Sequence, residues 1–448
     1  MLENALEWIK SVGGNPTIIA AACDLNGIWR GKRIPASQVV KVLSDGMRIP
    51  MSASCVDIWG SDLEDSPFLF DTGDSDGDGL STGIGLIPDF SKGNNSALIP
   101  LWIFDNQQLP SPIDPRHILD SIWKEFKNLQ LRPVVAFEME FYLLDEKEDG
   151  TFSKKQQIAD NHISATNVLS ITDLDSNEIF FNDLYKVCAE FGIPMEGVSS
   201  ENAPGQFEIN LKHVDNPLIA ADHAVFFKRF IKGIARKHNK RATFMAKPFP
   251  KISGSGMHVH MSLLDKDGSN IFNNGTDLGS EILKHSVAGI LEKMTESTLI
   301  LAPHFNSYKR LRPGTHAPIN ICWGYENRTA ALRIPGGEKF SKRIEHRVAG
   351  ADANPYLVLS SILASTLYGI RQKKVPPNPL SGDTYHEKLK QIPQSWDQAI
   401  GSFDKSKSNK IFYPDDFCKV FKNCKIQELE VFNSRIENHE IATYLESI

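Results

Sequence analysis

The chain has 448 residues, 41% hydrophobic and 23% charged, with a net charge of −6. This is the composition of a globular protein long enough for two or three domains. It excludes a basic nucleic-acid surface, because "KHNKR" at 237–241 is only long enough for a solvated helix end. It also excludes a membrane span, because the longest apolar stretch, residues 356–370, is broken by serines and too short to cross a bilayer.

In chain order, "MLENALEWIKSVGG" has the spacing of an amphipathic helix and lacks the apolar run of a secretory signal. Residues 17–35 predict a hairpin with a two-residue turn at Asn26-Gly27. Residues 61–97 predict loop. Its aspartates invite a calcium reading from Asp74 onward, but the twelfth position is Gly85, which offers no side-chain oxygen. A polar surface loop is the better account.

A helix is predicted after Asp114, with Asp114 as cap and Pro115 in its first turn. The domain boundary is placed here, dividing the chain into 1–110 and 111–448. Long helices are predicted over residues 216–238 and 280–301, and a buried one after the Asn354-Pro355 start signal. The six cysteines form no CxxC pair and no zinc spacing. They read as small buried residues of a reduced cytoplasm.

The chemistry lies in four short strands, whose side chains alternate between faces. In "VAFEMEFYL", Phe137, Met139 and Phe141 oppose Glu138 and Glu140. In "GQFEINL", Phe207, Ile209 and Leu211 oppose Gln206, Glu208 and Asn210. In "MHVHMSL", Met257, Val259 and Met261 oppose His258, His260 and Ser262. In "KRIEHRV", Ile344 and Val348 oppose Arg343, Glu345 and Arg347, with His346 on the apolar side. Such alternation is also the ordinary look of a half-exposed strand. These polar faces, however, collect acids, histidines and arginines rather than threonine, serine and lysine.

Joined in one sheet, the strands would line a cup with Glu138, Glu140, Glu208, Glu345 and His258, and Glu201 in "SSENAPG" could join it. Clustered carboxylates repel one another and stay ionised only beside cations. Oxygen donors with one imidazole suit magnesium or manganese. Lys309, Arg310 and Arg312, beside the Pro313-Gly314 turn, read as part of an anion site. Carboxylates next to arginines suggest phosphoryl transfer. No P-loop occurs, so a nucleotide would be held by the sheet and metals.

"FEMEFYL", "ENAPGQFEINL", "SGSGMHVHMSL", "NSYKRLRPG", "NRTAALRIP" and "RIEHRVAGADANPYL" occur in the order seen in the glutamine synthetase superfamily, and "DLNGIWRGKRIP" resembles its small N-terminal domain. The resemblance covers nearly the whole chain. It implies an α+β fold: a β-grasp domain followed by a catalytic domain with a curved antiparallel sheet backed by helices. It also implies a homo-oligomer, usually a dodecamer of two stacked hexamers, with sites between neighbouring subunits. The implied reaction joins the γ-carboxyl of L-glutamate to an amine through a γ-glutamyl phosphate. ATP is the co-substrate, and two or three magnesium or manganese ions occupy each site.

The resemblance implies that Glu140, Glu201 and Glu208 hold one metal and that Glu138, His258 and Glu345 hold the one on the nucleotide side. Arg310, with Gly254 nearby, resembles the grip on the α-carboxylate, and Arg347 resembles the γ-carboxyl partner. Arg328 and Arg333 resemble phosphate-stabilising arginines. Ser262 and Arg343 resemble ATP contacts, with His260 beside the phosphates.

Two positions depart from glutamine synthetases proper. The flap glutamate is replaced by His316, and the ammonium-binding loop reads "PMSASC" (50–55), with no acid. A compact ammonium ion needs close anionic acceptors, and each charge-assisted hydrogen bond lost removes about 1.5–3 kcal/mol. The spelling "WGYENRTAALRIP" is more similar to the γ-glutamylputrescine synthetase branch. These departures predict a polyamine or small alkylamine acceptor, with His316 as proton acceptor. The alternatives are an ammonia-using glutamine synthetase and a catalytically silent ring.

Overall fold

The computed structural model describes residues 2–13, 15–89, 95–146, 152–154 and 168–448. Its N-terminal part is a mixed sheet of β1 (Thr17–Cys23), β2 (Trp29–Ile34), β3 (Met47–Pro50), β4 (Asp76–Ser81), β5 (Ile87–Pro88) and β6 (Ser96–Phe104). The order is β2-β1-β6-β4-β3, with β5 on β6 and β1 parallel to β6. Ile18, Ala20, Ile99 and Ile103 form its core with Val39 and Val42 of the helix Val39–Asp45.

The hairpin is present, but its turn is longer than predicted. β1 and β2 pair as far as Cys23 and Trp29, leaving a five-residue loop, 24–28. The Asp24 carboxylate decides this by accepting from the Asn26 and Ile28 amides at 2.9 and 2.8 Å. Gly27 sits at φ +76°, a conformation glycine adopts without steric cost.

Residues 61–97 are not simply loop. Asp76 and Asp78 lie on β4, opposite Pro50 and Arg48, and Arg48 bonds Asp78 at 2.6 Å. Cross-strand pairing to Met47–Pro50 outweighs the poor strand propensity of Asp and Gly. Residues 90–94 of this stretch lie outside the described residues.

The second sheet holds β7 (Arg132–Glu146), β8 (Phe152–Lys154), β9 (Met195–Ser200), β10 (Gln206–Leu211), β11 (Lys240–Thr243), β12 (Met257–Leu264), β13 (Trp323–Tyr325), β14 (Leu332–Ile334) and β15 (Ile344–His346). Its order is β13-β14-β15-β12-β7-β10-β9, antiparallel except between β13 and β14. The four charged-face strands are therefore neighbours, in the order β15-β12-β7-β10.

On the other face, Phe137, Met139, Phe141, Ile209 and Met257 are at most 1% exposed. Each such burial contributes about 1.5–3 kcal/mol. Helices Pro115–Asn128, Pro217–Lys237, Glu281–Leu301 and Pro355–Arg371 share this core. Asp114, Asn216, Ser280 and Asn354 cap them through their side chains.

The end of Pro217–Lys237 is less solvated than "KHNKR" suggested. Lys237 and His238 both reach Asp183, and Lys240 reaches Asp145. All six cysteines are free, and only Cys418 is not fully buried. No helix among the described residues is long and apolar enough to cross a membrane.

Candidate active site

Register brings the predicted residues together. Across β12 and β7, His258 pairs with Glu138; across β10 and β7, Glu208 pairs with Glu140; across β12 and β15, His260 pairs with Glu345. Directly opposed residues share a face with Cβ atoms about 4.5–5.5 Å apart. The result is a cup on the polar face of four adjacent strands.

Two groups of donor atoms lie within 4.8 Å of one another: Glu138, His258 and Glu345, and Glu140, Glu208 and His258. His258 belongs to both, and Glu201 to neither. Glu201 follows β9, its amide bonded to the Gln206 carbonyl, close enough to Glu140 to feel its charge.

The acids fall into two electrostatic classes. Burial raises the Glu138 carboxyl, but hydrogen bonds and charge from His258 and His260 outweigh it and hold the group well below its usual range. Burial likewise works against Glu345, yet Arg347 and the two histidines bring it down to about 2. Glu208 is pushed well up by burial and then by Glu138, Glu140, Glu201 and Glu345. Glu201 is pushed up to about 7 by burial and Glu140. Among the described residues the protein thus supplies imidazole hydrogen-bond donors for Glu138 and an arginine for Glu345, and leaves Glu208 with neither. Uncompensated oxygen donors around a single imidazole fit a divalent magnesium- or manganese-type ion.

The arginines are anchored to different degrees. Glu345 accepts from Arg347 Nη1 through one oxygen and from Arg333 Nη1, at 2.8 Å, through the other. Arg343 Nε donates to His260 Nδ1 at 3.1 Å, which leaves His260 Nε2 to donate to Glu138 at 2.8 Å. Ser262 is buried two residues further along β12 on the same face. Arg328 is exposed in a turn braced by Asn327, whose amide donates to the Leu380 and Gly382 carbonyls. Among the described residues its guanidinium has no hydrogen-bond or ion-pair partner, so it is free to meet a ligand.

The cationic segment divides. Arg310 is 4% exposed and donates to the Val348 carbonyl at 2.8 Å. Lys309 and Arg312 are exposed and point to no common site: Lys309 lies over the Phe305 ring, and Arg312 donates to the Tyr308 carbonyl. Gly254 and Gly256 leave room for Arg310. A Cβ at 254 would sit 2.9 Å from its Cγ, and one at 256 would sit 2.6 Å from its Nη2.

His316 is exposed at φ +63°, and its carbonyl accepts from the Tyr385 hydroxyl at 2.8 Å. It borders a cavity of about 330 Å³ together with Asn202, Ser253, Lys247, Lys251 and Gly314, and among the described residues no carboxylate lines this cavity. The 50–55 loop is a tight turn over Met51–Ser54. It has no acid of its own, but Ser52 Oγ donates to Asp74 at 2.6 Å.

Sequence reading missed the groups that position Glu140. The Gly256 amide donates to it at 2.8 Å, and Gln206 Nε2 bridges it to the Gly254 carbonyl. Tyr142 pins the Ser253 carbonyl at 2.6 Å. The usable signal was the placement of Gln206 on the same strand face as Glu208.

Residues 112–444 match the model of the glutamine synthetase catalytic domain. The chain belongs to the glutamine synthetase family. It is 36% identical to γ-glutamylputrescine synthetase PuuA of Escherichia coli (strain K12), over 95% of this chain and 90% of that protein. It is 35% identical to a glutamate–isopropylamine ligase of a Pseudomonas species, over 96% and 95%. Among solved structures, a GmaS/ADP complex superposes with a TM-score of 0.85 at 26% identity, covering 99% of this chain and all of that one. This glutamine synthetase family member is an ATP-dependent glutamate–amine ligase, and the silent-ring alternative is set aside. The family uses ATP and divalent metals.

Proposed function

We propose that this ligase joins the glutamate γ-carboxyl to an alkylamine or polyamine in preference to ammonia. The observation that carries the reading is His316 at a cavity with no carboxylate among the described residues of its lining. An ammonium ion finds no anionic clamp there, whereas an alkyl tail finds space.

In this reading Arg310 pairs with the glutamate α-carboxylate beside Gly254, and Arg347 orients the γ-carboxylate. Arg333, Arg343, His260 and Ser262 hold the nucleotide phosphates. Glu140, Glu208 and Glu201 hold one metal, and Glu138, His258 and Glu345 the other. Divalent ions held there would supply charge neutralisation for the transferred phosphoryl group. Attack of a γ-carboxylate oxygen on the γ-phosphorus breaks the bond to ADP and gives the acyl phosphate, with Arg328 free to meet the transferred charge. The amine nitrogen then attacks the acyl carbon, the carbon–oxygen bond to phosphate breaks, and the amine proton passes to His316. Imidazole titrates near working pH, which suits a base.

Two observations refine the acceptor. The likeness to PuuA supports a diamine, whereas Lys247 and Lys251 on the cavity wall repel a second ammonium and favour a monoamine. One observation favours ammonia: Asp74 returns a carboxylate to the neighbourhood of the 50–55 loop. The deciding experiment measures phosphate release with glutamate, ATP and a panel of amines. We expect kcat/KM for methylamine, isopropylamine, ethanolamine or putrescine to exceed that for ammonia. Ammonia as the best acceptor would refute the reading.

With the best amine, His316→Gln should lower kcat about a hundredfold and remove one limb of the pH profile. An unchanged kcat and profile would leave His316 as a cover only.

The active species should be a ring in which the 50–55 loop completes a neighbouring subunit's site. Light scattering on active enzyme should then give many times the 50.0 kDa of one chain. An active monomer would contradict this.

A further inference from the structure

Helix Pro217–Lys237 carries a second cationic cluster that the ligase chemistry does not use. Lys228, Lys232 and Arg236 recur every four residues, and with Arg229 they border a cavity of about 510 Å³. The cavity is also lined by the hairpin loop and Trp29 from the small sheet and by the Phe244 ring. Its size falls in the usual range for small-molecule sites, about 300–1,000 Å³.

Like charges spaced i,i+4 on a helix repel, and this chain is acidic overall. Among the described residues only one carboxylate, Asp352, lines the cavity, and its Oδ2 already accepts from Ser307 at 2.6 Å. Arg229 is matched by Asp89 at 2.6 Å, but its buried Nε has no partner among the described residues. Lys232 and Arg236 have no carboxylate within ion-pair distance among the described residues.

We propose that this cavity binds a small multiply charged anion, a phosphate ester or a polycarboxylate, and that its occupancy is coupled to the glutamate site. The cations supply charge and donors from one rigid helix, and the aromatic walls supply an apolar side. Burial and the Lys232 charge bring Lys228 down to about 7, against the opposing Asp352 and Cys23. A bound anion would restore its charge.

The coupling follows from the floor of the cavity. Lys228 Nζ donates to the Ala351 and Ala353 carbonyls at 2.7 and 3.2 Å. In the same segment the Val348 carbonyl holds Arg310, and the Ala351 amide bonds the Ser255 carbonyl between the two glycines that make room for Arg310. An anion that draws Lys228 toward it pulls on this backbone.

Calorimetry on the assembled enzyme with fructose 1,6-bisphosphate, and separately with tricarballylate, tests the site and tells the two sources apart. At least one should bind wild-type enzyme and Arg333→Gln alike. Binding should weaken at least about tenfold in Lys232→Gln/Arg236→Gln, which removes two exposed charge-assisted donors. The double variant should keep basal activity. The bound anion should shift KM for glutamate in wild type and not in the double variant. No binding by either probe overturns the site, as does binding that survives the double variant but disappears in Arg333→Gln. Binding without a KM shift overturns the coupling.

Discussion

Glu208→Ala should abolish turnover, by about three orders of magnitude or more, without lowering the thermal midpoint of the metal-free enzyme. Its position on β10 opposite Glu140 places a donor oxygen in the Glu140–Glu208–His258 group. Charge neutralisation by a divalent ion supplies several kcal/mol, and each 1.36 kcal/mol is tenfold in rate. The unchanged or raised stability has a separate cause. In the metal-free cup Glu208 is repelled by Glu138, Glu140, Glu201 and Glu345, with no protein cation assigned to it. Removing it relieves that repulsion. Wild-type-like activity of the variant at saturating manganese would sink the assignment. A large fall in the metal-free midpoint would show instead that Glu208 holds the sheet together.

Lys425→Ala should destabilise the protein by about 3–5 kcal/mol, because it strands a buried carboxylate. Lys425 and Glu428 are both 0% exposed, 3.0 Å apart, on the helix Asp415–Ser434. Glu428 Oε1 also accepts from the Ile58 amide at 2.9 Å and from Asn26 Nδ2 at 3.3 Å. Lys425 donates to Asn26 Oδ1. The pair therefore ties the last long helix to the hairpin loop of the small sheet.

Replacing both, Lys425→Met with Glu428→Gln, should recover most of the loss, since no unpaired charge remains. Urea midpoints at one protein concentration measure this, and a Lys425→Ala cost under about 1 kcal/mol would refute it. The pH dependence has a definite sign. Burial raises the Glu428 carboxyl, but Lys425 and His304 outweigh it and bring the group from 4.5 down to about 2. Its folded value lies below its unfolded one, so its contribution is fully present above about pH 4.5 and is lost as pH falls toward 2.

Local patterns were legible without the fold. Alternation with period two identified β7, β10, β12 and β15 and the face each buries, because a strand has only two faces and one must leave water. Asp114 and Asn354 marked helix starts, because a capping side chain needs only its own next few amides. Glu138, Glu140, Glu208, Glu345 and His258 of the cup were named from those strand faces, with Arg343 and Arg347 on the same faces, while Arg328 and Arg333 were named from motif resemblance.

Other features depended on contacts that no periodic pattern or start signal in the sequence marks. The hairpin loop is five residues because the Asp24 carboxylate reaches two amides. Asp76 and Asp78 lie on a strand because Met47–Pro50 lies beside them. Local sequence treats Lys309, Arg310 and Arg312 alike, yet only Arg310 is turned inward, under Val348. Lys425 and Glu428 have the spacing of a solvated surface pair, as do the cations of Pro217–Lys237. Burial is set by what packs against a residue. A charge three or four positions from another on a helix carries no mark of whether water or a second sheet covers it.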